Sequence, residues 1–419
     1  MRLRIGILSL GCPRNLIDSE SILSRLFRKG YKITDIDKAQ VALVNTCAFI
    51  KEAKQESIDV ILDLIDLKKE GKLQKIIVYG CLPERYKAKL AKELPEIDAF
   101  LGRISPDKDT ERFSLTPAHY AYLKICEGCI NLCSFCIIPK IKGRLVSLSV
   151  EAILNKVKEF DKKGISELNI IGQDITGFGL DLGSGVNLVY ILKEILKNIK
   201  HIGWIRLLYL NPERIGEDLL KLIRNEDRIC KYIDLPIQHI NNRILKLMHR
   251  KSSRSEIVRL IDRVRKIIPG VALRTSIIVG FPGETEREFN ELLGFIRDVK
   301  FERLGAFKYS REEGTPAYNF SGQVPEKIKS DRFNQIMSCQ QEISKQVNSG
   351  FIGKELKILI DECAEGSYLG RAQFDAPEVD GLAYVRSKIK LMPGDFVNLK
   401  VTDTLEYDLV GEVQNESIK

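Results

Sequence analysis

Three cysteines in one short stretch have the spacing of an iron–sulfur site. Cys129, Cys133 and Cys136 form the pattern CxxxCxxC, and they follow the predicted strand Ala121–Ile125. Three thiolates can bind three irons of a cubane 4Fe-4S cluster and leave the fourth iron without a protein ligand. An open iron can chelate the amine and carboxylate of S-adenosylmethionine, and electron transfer into the sulfonium then yields a 5′-deoxyadenosyl radical. The spacing therefore predicts radical chemistry.

Cys126 extends this pattern and gives it a second interpretation. With Cys126 the stretch contains two CxxC pairs, and four cysteines in two pairs are typical of structural zinc. Zinc sites of this kind usually separate their pairs by about 12–20 residues. Here the gap between Cys129 and Cys133 is only three residues. We therefore favour iron–sulfur, with Cys126 at a strand end and outside the ligand set, and zinc is the alternative.

Three further cysteines recur at one position in three predicted βα units. Since ligands of open α/β sheets lie beyond the carboxyl ends of the strands, the three strand ends would bring these cysteines to one rim. Free cysteine is also among the most buried residue types, so three unrelated buried thiols are the alternative. The recurrence favours a shared site. The three strand ends are Ser9-Leu-Gly-Cys12, Val44-Asn-Thr-Cys47 and Val78-Tyr-Gly-Cys81.

The elements that position these cysteines fall into three regions, so the expected fold class is α/β with a small β-barrel. Residues 1–105 alternate strands and helices, which predicts an N-terminal α/β domain with a parallel sheet. Residues 118–345 repeat βα units, which predicts a complete or partial TIM-like barrel. Residues 350–419 switch to short strands of period two, which predicts a five-stranded antiparallel barrel of the OB kind. Residues 102–117 are the predicted linker.

Composition places the 419-residue chain among globular proteins. Hydrophobic residues make up 44% and charged residues 29%, which excludes disorder for the bulk of the chain. No apolar run approaches the ~20 residues of a membrane span, and residues 5–10 are too short for a signal-peptide core. Ten cysteines in such a chain are more typical of metal or catalytic groups than of disulfides. We expect a cytoplasmic protein with no membrane contact.

Other predicted barrel strands end in residues that suit a bound nucleoside sulfonium. One strand ends at Gln173 and Asp174, where backbone edges and a carboxylate can bind a methionyl amine. Another runs from Ser276 into a turn at Gly280, and glycine allows a ligand to approach the backbone closely. Glu284 follows this turn and is equally consistent with a helix cap. At the strand ends of one barrel, these residues are predicted to contact the cofactor.

With these motifs the chain resembles the radical S-adenosylmethionine methylthiotransferases over essentially its whole length. That family has an N-terminal α/β domain with three cysteines, a radical barrel with CxxxCxxC, and a C-terminal TRAM domain of the OB type. The resemblance implies a second 4Fe-4S cluster held by Cys12, Cys47 and Cys81. This agrees with the argument from the strand ends.

Within that family the resemblance is to the branch that methylthiolates the β-carbon of an aspartate in the twelfth small-subunit ribosomal protein. The transfer-RNA branch tends to have Gly-Cys-Gln-Met-Asn where this chain has Gly-Cys-Pro-Arg-Asn. The chain departs from its relatives at Cys126, where alanine is usual, and at Asn211, and neither position belongs to a motif. The motifs that carry the resemblance are residues 9–15, 234–239, 309–313 and 375–381.

The resemblance implies a reaction that consumes two molecules of S-adenosylmethionine. One methylates sulfur carried at the N-terminal cluster and leaves S-adenosylhomocysteine. The other yields the radical that removes hydrogen from the aspartate Cβ, and the carbon radical then takes the methylthio group. The reaction requires an external electron donor, and we expect a monomer.

Charge is distributed unevenly along the chain. The whole chain carries +9, but residues 351–419 carry −5 and the first 350 residues therefore carry +14. An OB-like module that holds RNA is expected to be basic. The acidic module instead predicts contact with a basic protein through Asp375, Glu378 and Asp380, although net charge does not exclude a basic stripe on one face.

Two rival functions stay open on the sequence alone. One is a transfer-RNA adenosine methylthiotransferase with the same chemistry. The other is a non-enzymatic zinc and nucleic-acid-binding protein built from the cysteine run and the OB-like module. The basic run at residues 246–254 is expected to be mostly a solvated face, although it could also contact nearby ribosomal RNA.

Overall fold

Residues 3–104, 113–183, 185–364 and 367–414 are described by the computed structural model of the chain, so residues 105–112 of the predicted linker lie outside the described part. The chain divides into two compact units. The first contains Met1–Leu115, Glu127–Ala152 and Ser310–Tyr318. The second contains Thr116–Cys126, Ile153–Tyr309 and Asn319–Lys419. The CxxxCxxC loop therefore belongs to the same unit as the three N-terminal cysteines.

The N-terminal region is a parallel five-stranded sheet with the order β2-β1-β3-β4-β5. Its central strand β3 is buried along its whole length, as expected for an apolar strand covered on both faces. The strands are β1 (Arg4–Ser9), β2 (Lys32–Ile33), β3 (Val41–Thr46), β4 (Lys75–Gly80) and β5 (Ala99–Leu101). The helices are α1 (Pro13–Arg28), α2 (Lys51–Lys69) and α3 (Cys81–Glu93).

Six parallel strands form the partial barrel. They lie in two three-stranded sheets, β10-β9-β6 and β11-β12-β13, and an isolated parallel bridge from Ile205 to Ile229 links the first sheet to the residues just before β11. These strands are β6 (Tyr120–Lys124), β9 (Glu167–Ile171), β10 (Trp204–Leu207), β11 (Tyr232–Asp234), β12 (Ala272–Val279) and β13 (Arg303–Lys308). Two short strands, β7 (Cys126–Glu127) and β8 (Val146–Ser147), and the helix α4 (Ile138–Lys142) lie between β6 and β9.

Helices alternate with the later barrel strands. None of the helices within the described ranges is long and apolar enough to cross a bilayer. They are α5 (Val150–Lys162), α6 (Leu188–Asn198), α7 (Glu217–Asn225), α8 (Asn242–Leu247), α9 (Arg254–Ile267), α10 (Glu286–Val299) and α11 (Glu326–Ser349).

The C-terminal region is a closed five-stranded barrel with the order β14-β15-β16-β18-β17. Its strands alternate buried and exposed residues, as in β17, because one face packs into the barrel. The pair β16–β18 is parallel and the other pairs are antiparallel, so the expectation of a purely antiparallel barrel is corrected in this one pair. The strands are β14 (Glu355–Ala364), β15 (Ser367–Ala372), β16 (Ala383–Arg386), β17 (Phe396–Thr404) and β18 (Leu409–Val413).

The C-terminal barrel packs against the amino ends of the parallel strands. The ring of Trp204 lies edge-on to Phe396, with the ring centroids 4.9 Å apart. Arg206 donates to the carbonyl oxygen of Gln373 at 2.6 Å, and the guanidinium of Arg371 lies 2.7 Å from the carboxylate of Glu167. Because Trp204 and Glu167 are the first residues of β10 and β9, this end of the parallel strands is covered.

The fold class predicted from the sequence is confirmed, and two helix starts are corrected. The hydrophobic pattern of the sequence predicts helices that begin at Asp18 and Glu84, whereas α1 begins at Pro13 and α3 begins at Cys81. Neither helix has a side chain that caps its amino end with a hydrogen bond, so this sequence signal for a helix start is missing in both, although α1 has a proline at its first position.

Candidate active site

The first three cysteines lie at the carboxyl ends of three adjacent parallel strands. Cys12 is the N-cap of α1, Cys47 follows β3, and Cys81 is the first residue of α3. The backbone at Gly11 has a positive φ of 87°, and a Cβ atom there would lie 2.7 Å from the Cβ of Cys47. Only glycine therefore lets the end of β1 approach Cys47 this closely.

Asn15 connects the three strand ends. Its side-chain amide donates to the carbonyl oxygens of Leu10 at 3.0 Å and Thr46 at 3.2 Å. Its side-chain oxygen lies 3.8 Å from the Sγ of Cys81. One buried side chain thus contacts the chain after β1, the end of β3 and the start of α3. Asn15 belongs to a motif that carried the resemblance, but its role was not recognised from the sequence.

The second set of cysteines lies on the loop that leads to α4. The backbone N–H and the side-chain amide of Asn131 each donate to the Sγ of Cys129 at 3.4 Å. The N–H of Cys136 donates to the carbonyl oxygen of Cys133 at 3.1 Å. At Gly128 φ is 73°, and a Cβ atom there would lie 2.1 Å from the carbonyl oxygen of Arg144. The loop is therefore closed tightly at its base.

Arg14 places a positive charge near both sets of thiols. Burial alone would raise the pKa of Cys12, but the charge of Arg14 and its hydrogen bond to the Cys12 Sγ (3.5 Å) bring that pKa below its ordinary value. Burial raises the pKa of Cys81 to about 12, and burial together with repulsion from Cys133 raises the pKa of Cys136 to about 12. The Arg14 charge also acts to lower the pKa of Cys136. It therefore favours thiolates in both sets.

The donor chemistry fits two iron–sulfur clusters. Each set offers three thiols, and N–H donors already point at the sulfur of Cys129, as in the hydrogen bonds that tune cluster potentials. Among the described residues no three Cys, His, Asp or Glu side chains converge on a single metal ion. A cubane cluster distributes its three protein ligands over three irons, so its ligands do not need to converge in this way.

The predicted cofactor contacts after β9 are partly used by the protein itself. Asp174 caps a short helical turn by accepting from the N–H of Thr176 at 3.0 Å. Arg214 donates to the other carboxylate oxygen at 2.6 Å. Gln173, next to it, follows the carboxyl end of the same strand. Contact of Gln173 and Asp174 with S-adenosylmethionine remains a prediction.

The turn after β12 is fixed by Glu284. This buried carboxylate accepts from the N–H of Gly280 at 3.0 and 3.1 Å, and from Arg332 at 2.7 Å. At Gly280 φ is 69°, and a Cβ atom would lie 2.3 Å from the side chain of Lys329. Ser276 lies within β12, and it is half-buried. Glu284 thus shapes the turn at Gly280, and direct cofactor contact by Ser276, Gly280 and Glu284 stays a prediction.

In the acidic loop of the C-terminal barrel the side chains of Asp375 and Asp380 are buried, whereas Glu378 is exposed, so contact of this loop with a basic protein stays a prediction. Asp375 is buried and accepts from Arg303 at 2.6 and 2.8 Å, and burial raises its pKa to about 6. Asp380 accepts from the hydroxyl of Tyr232 at 2.7 Å. These partners belong to the parallel strands, so the two carboxylates cover the amino ends of those strands, opposite the ends that carry the predicted cofactor contacts. Glu378 accepts from Tyr120 at 3.0 Å.

Cys126 is buried within the second unit. Its Sγ lies 3.8 Å from the carbonyl oxygen of Asp174, and a Cβ atom built on Gly172 would lie 2.6 Å from that Sγ. The thiol thus fills a gap beside the chain that follows β9.

We expect Cys126→Ala to keep the iron content and the activity of the unchanged protein, because CxxxCxxC already supplies three ligands. Iron and zinc per chain after anaerobic reconstitution measure this, with Cys129→Ala as the matched single-thiol control that should lose iron. A large loss of iron in Cys126→Ala, with zinc bound to the unchanged protein, would restore the four-cysteine interpretation.

Three protein families match successive parts of the chain. The uncharacterized protein family UPF0004 matches residues 4–102, the radical SAM superfamily matches residues 123–296, and the TRAM domain matches residues 352–413. A ribosomal protein uS12 methylthiotransferase RimO from Geotalea uraniireducens is 44% identical, with 98% of each chain covered. The protein of the same name from Caldanaerobacter subterraneus is 46% identical over 97% of this chain and 99% of its own. The chain belongs to the RimO family.

Membership of the RimO family confirms the enzyme class, a radical S-adenosylmethionine methylthiotransferase, and its cofactors, S-adenosylmethionine and 4Fe-4S clusters. It favours the ribosomal-protein branch over the transfer-RNA alternative. A solved structure of the radical S-adenosylmethionine methyltransferase TsrM from Kitasatospora setae, with cobalamin and a [4Fe-4S] cluster bound, has a TM-score of 0.52. It is 11% identical and covers 76% of this chain and 77% of its own, which shows a common fold alone.

Proposed function

We propose that the protein methylthiolates the β-carbon of an aspartate in the small-subunit ribosomal protein uS12. The observation that carries the proposal is the placement of two sets of three cysteines in one compact unit. Cys12, Cys47 and Cys81 would hold the first cluster, and Cys129, Cys133 and Cys136 would hold the second, which binds S-adenosylmethionine. The RimO relatives, which match nearly the whole length of the chain, support this choice of substrate.

The chain's own residues would serve this reaction in three ways. Arg14 and the N–H groups of Asn131 stabilise the thiolates, and Asn15 holds the three strand ends in place. When bound, the clusters and S-adenosylmethionine would supply the 5′-deoxyadenosyl radical and the methyl group, and a separate sulfur donor would supply the sulfur of the methylthio group. The C-terminal barrel covers the amino ends of the parallel strands, which leaves their carboxyl ends for the cofactor and the substrate. The aspartate would enter from the carboxyl ends.

The finer features of the function are part of the same proposal. We propose that the enzyme acts as a monomer in the cytoplasm, where ribosomal proteins are made, and that it takes its electrons from an external donor. The basic run at residues 246–254 would lie near ribosomal RNA if the substrate is bound to an assembling subunit.

Mass spectrometry of uS12 from cells with and without the gene tests the proposal. We expect uS12 to gain the mass of one methylthio group only when the gene is present, with fragment ions that place the group on an aspartate. Complementation with the triple variant Cys129→Ala, Cys133→Ala, Cys136→Ala is the control and should leave uS12 unmodified. Unmodified uS12 in every strain, together with loss of a methylthio group from transfer-RNA adenosine on deletion, would overturn the proposal in favour of the sister activity.

A further inference from the structure

A short segment after β13 belongs to a different compact unit from the residues that flank it in the chain. Residues Ser310–Tyr318 belong to the first compact unit, whereas Tyr309 and Asn319 on either side belong to the second. Residues 309–313 form one of the motifs that carry the family resemblance, and the sequence alone assigns them no role. The contacts of residues 310–318 within the first unit indicate a role for this segment.

Glu312 connects this segment to the helices that follow two of the candidate cluster ligands. Its carboxylate accepts from Lys54 at 2.7 Å and from Arg85 at 2.9 Å, and the residue is only 1% exposed. Lys54 lies on α2, which follows Cys47, and Arg85 lies on α3, which begins with Cys81. One buried carboxylate therefore binds both helices.

Neighbouring hydrogen bonds make this connection rigid. Ser310 donates through its hydroxyl to Glu312 at 2.8 Å and accepts from the N–H of Lys51 at 3.1 Å. Arg85 also donates to the carbonyl oxygens of Ala48 at 2.6 Å and Glu313 at 3.1 Å. Burial would raise the pKa of Glu312, but the bonds from Lys54, Ser310 and Arg85 bring it below its ordinary value, so the carboxylate stays charged.

The other end of the segment contacts the CxxxCxxC loop. The N–H of Ala317 donates at 2.9 Å to the carbonyl oxygen of Ser134, a buried residue between Cys133 and Cys136. At Gly314 φ is 86°, and a Cβ atom there would lie 3.4 Å from the side chain of Ile137, next to α4. Thr315 donates through its hydroxyl to the carbonyl oxygen of Glu312 at 2.7 Å and joins the two ends.

Buried ion pairs of this kind add little net stability, because desolvation offsets the attraction between the charges, but they can fix one geometry. We propose that Glu312 is a positioning residue that holds the two sets of cysteines at one distance and thereby couples radical formation to transfer of the methylthio group. This inference deepens the proposed function and rests on it.

The variant Glu312→Gln tests this inference, since it keeps the shape of the side chain and removes its charge. In the metal-free protein we expect faster amide hydrogen exchange in residues 310–318 and in the CxxxCxxC loop. After reconstitution we expect the iron content to be unchanged. Electron paramagnetic resonance should show a broader distribution of dipolar couplings between the two reduced clusters, and the enzyme should form about tenfold more 5′-deoxyadenosine per methylthiolated uS12. Glu312→Asp keeps the charge and should partly restore the narrow distribution of couplings.

Asp98→Asn is the matched control. Asp98, like Glu312, accepts from a lysine of α2, Lys68, but it lies at the edge of the N-terminal sheet and accepts from the N–H of Ile76. The control should leave hydrogen exchange, iron content, dipolar coupling and product ratio unchanged. If Glu312→Gln does not fold, Lys54→Met, which removes one of the two cations, gives the same measurements. Wild-type hydrogen exchange, coupling and product ratio in the folded variant would overturn the inference. Unmodified uS12 with the unchanged enzyme would instead overturn the proposed function, since exchange and coupling do not depend on the substrate.

Discussion

Changing Cys129, Cys133 and Cys136 together to alanine is expected to remove about half of the bound iron and to abolish 5′-deoxyadenosine formation. The reason is the ligand count, because a cubane cluster that keeps one open iron needs three thiolates. The loop that carries these thiols is otherwise held by backbone contacts, such as those from Cys129 to Gly143 and from Ala317 to Ser134. It should therefore keep its fold without the three sulfurs. Iron content and product chromatography after anaerobic reconstitution measure both effects.

The complementary variant changes Cys12, Cys47 and Cys81 to alanine. It should lose the other half of the iron but still cleave S-adenosylmethionine reductively, because the second set of cysteines is intact. Changing Cys230, Cys339 and Cys363 together is the matched control that removes three thiols outside both sets, and it should keep all the iron. Full iron in the Cys12, Cys47 and Cys81 variant would contradict a shared site at the strand ends.

Much of the first cluster site follows from the strand ends alone. The strands β1, β3 and β4 each contain a short apolar run whose length is typical of a buried strand. The end of each strand can therefore be predicted from the sequence, together with the position of the cysteine that follows it. Parallel neighbours then put the three cysteines on one edge. Asn15 could not be placed in the same way, because its partners Leu10, Thr46 and Cys81 lie on three different segments.

The contacts of Glu312 and Asp375 were beyond the sequence for a related reason. Glu312 is polar and lies in a segment without periodicity, so a solvated position is the default expectation for it. Its burial depends on Lys54 and Arg85, which are more than 200 residues away in the chain. Net charge likewise indicated that the C-terminal module binds a basic protein. It could not show that one of its carboxylates, Asp375, pairs with Arg303 of the same chain.

The second large effect is expected at Glu167, the buried carboxylate between the parallel strands and the C-terminal barrel. Glu167 is fully buried; it accepts from Arg206 at 2.7 Å and lies 2.7 Å from the guanidinium of Arg371. Arg371 also pairs with Asp361, whereas Arg206 stacks on Tyr232 and donates to the carbonyl oxygen of Gln373. Glu167→Ala would leave two buried guanidinium groups with one carboxylate fewer. Removal of one partner from a buried ion pair costs about 3–5 kcal/mol.

For Glu167→Ala we expect a large fall in the urea concentration at the midpoint of unfolding of the second unit, as measured by far-ultraviolet circular dichroism. Glu159→Ala is the control. It removes a partly exposed partner of Lys163 on the protein surface and should shift the midpoint little.

The variant Glu167→Gln adds a pH test. Burial would raise the pKa of Glu167, but Arg371 and Arg206 hold it below its ordinary value. The stability that this charge contributes is therefore present above about pH 5 and lost as pH falls through the lowered pKa. The difference between Glu167→Gln and the unchanged protein should accordingly shrink in acid, and a difference that stays constant with pH would show that the charge of Glu167 does not hold the two barrels together.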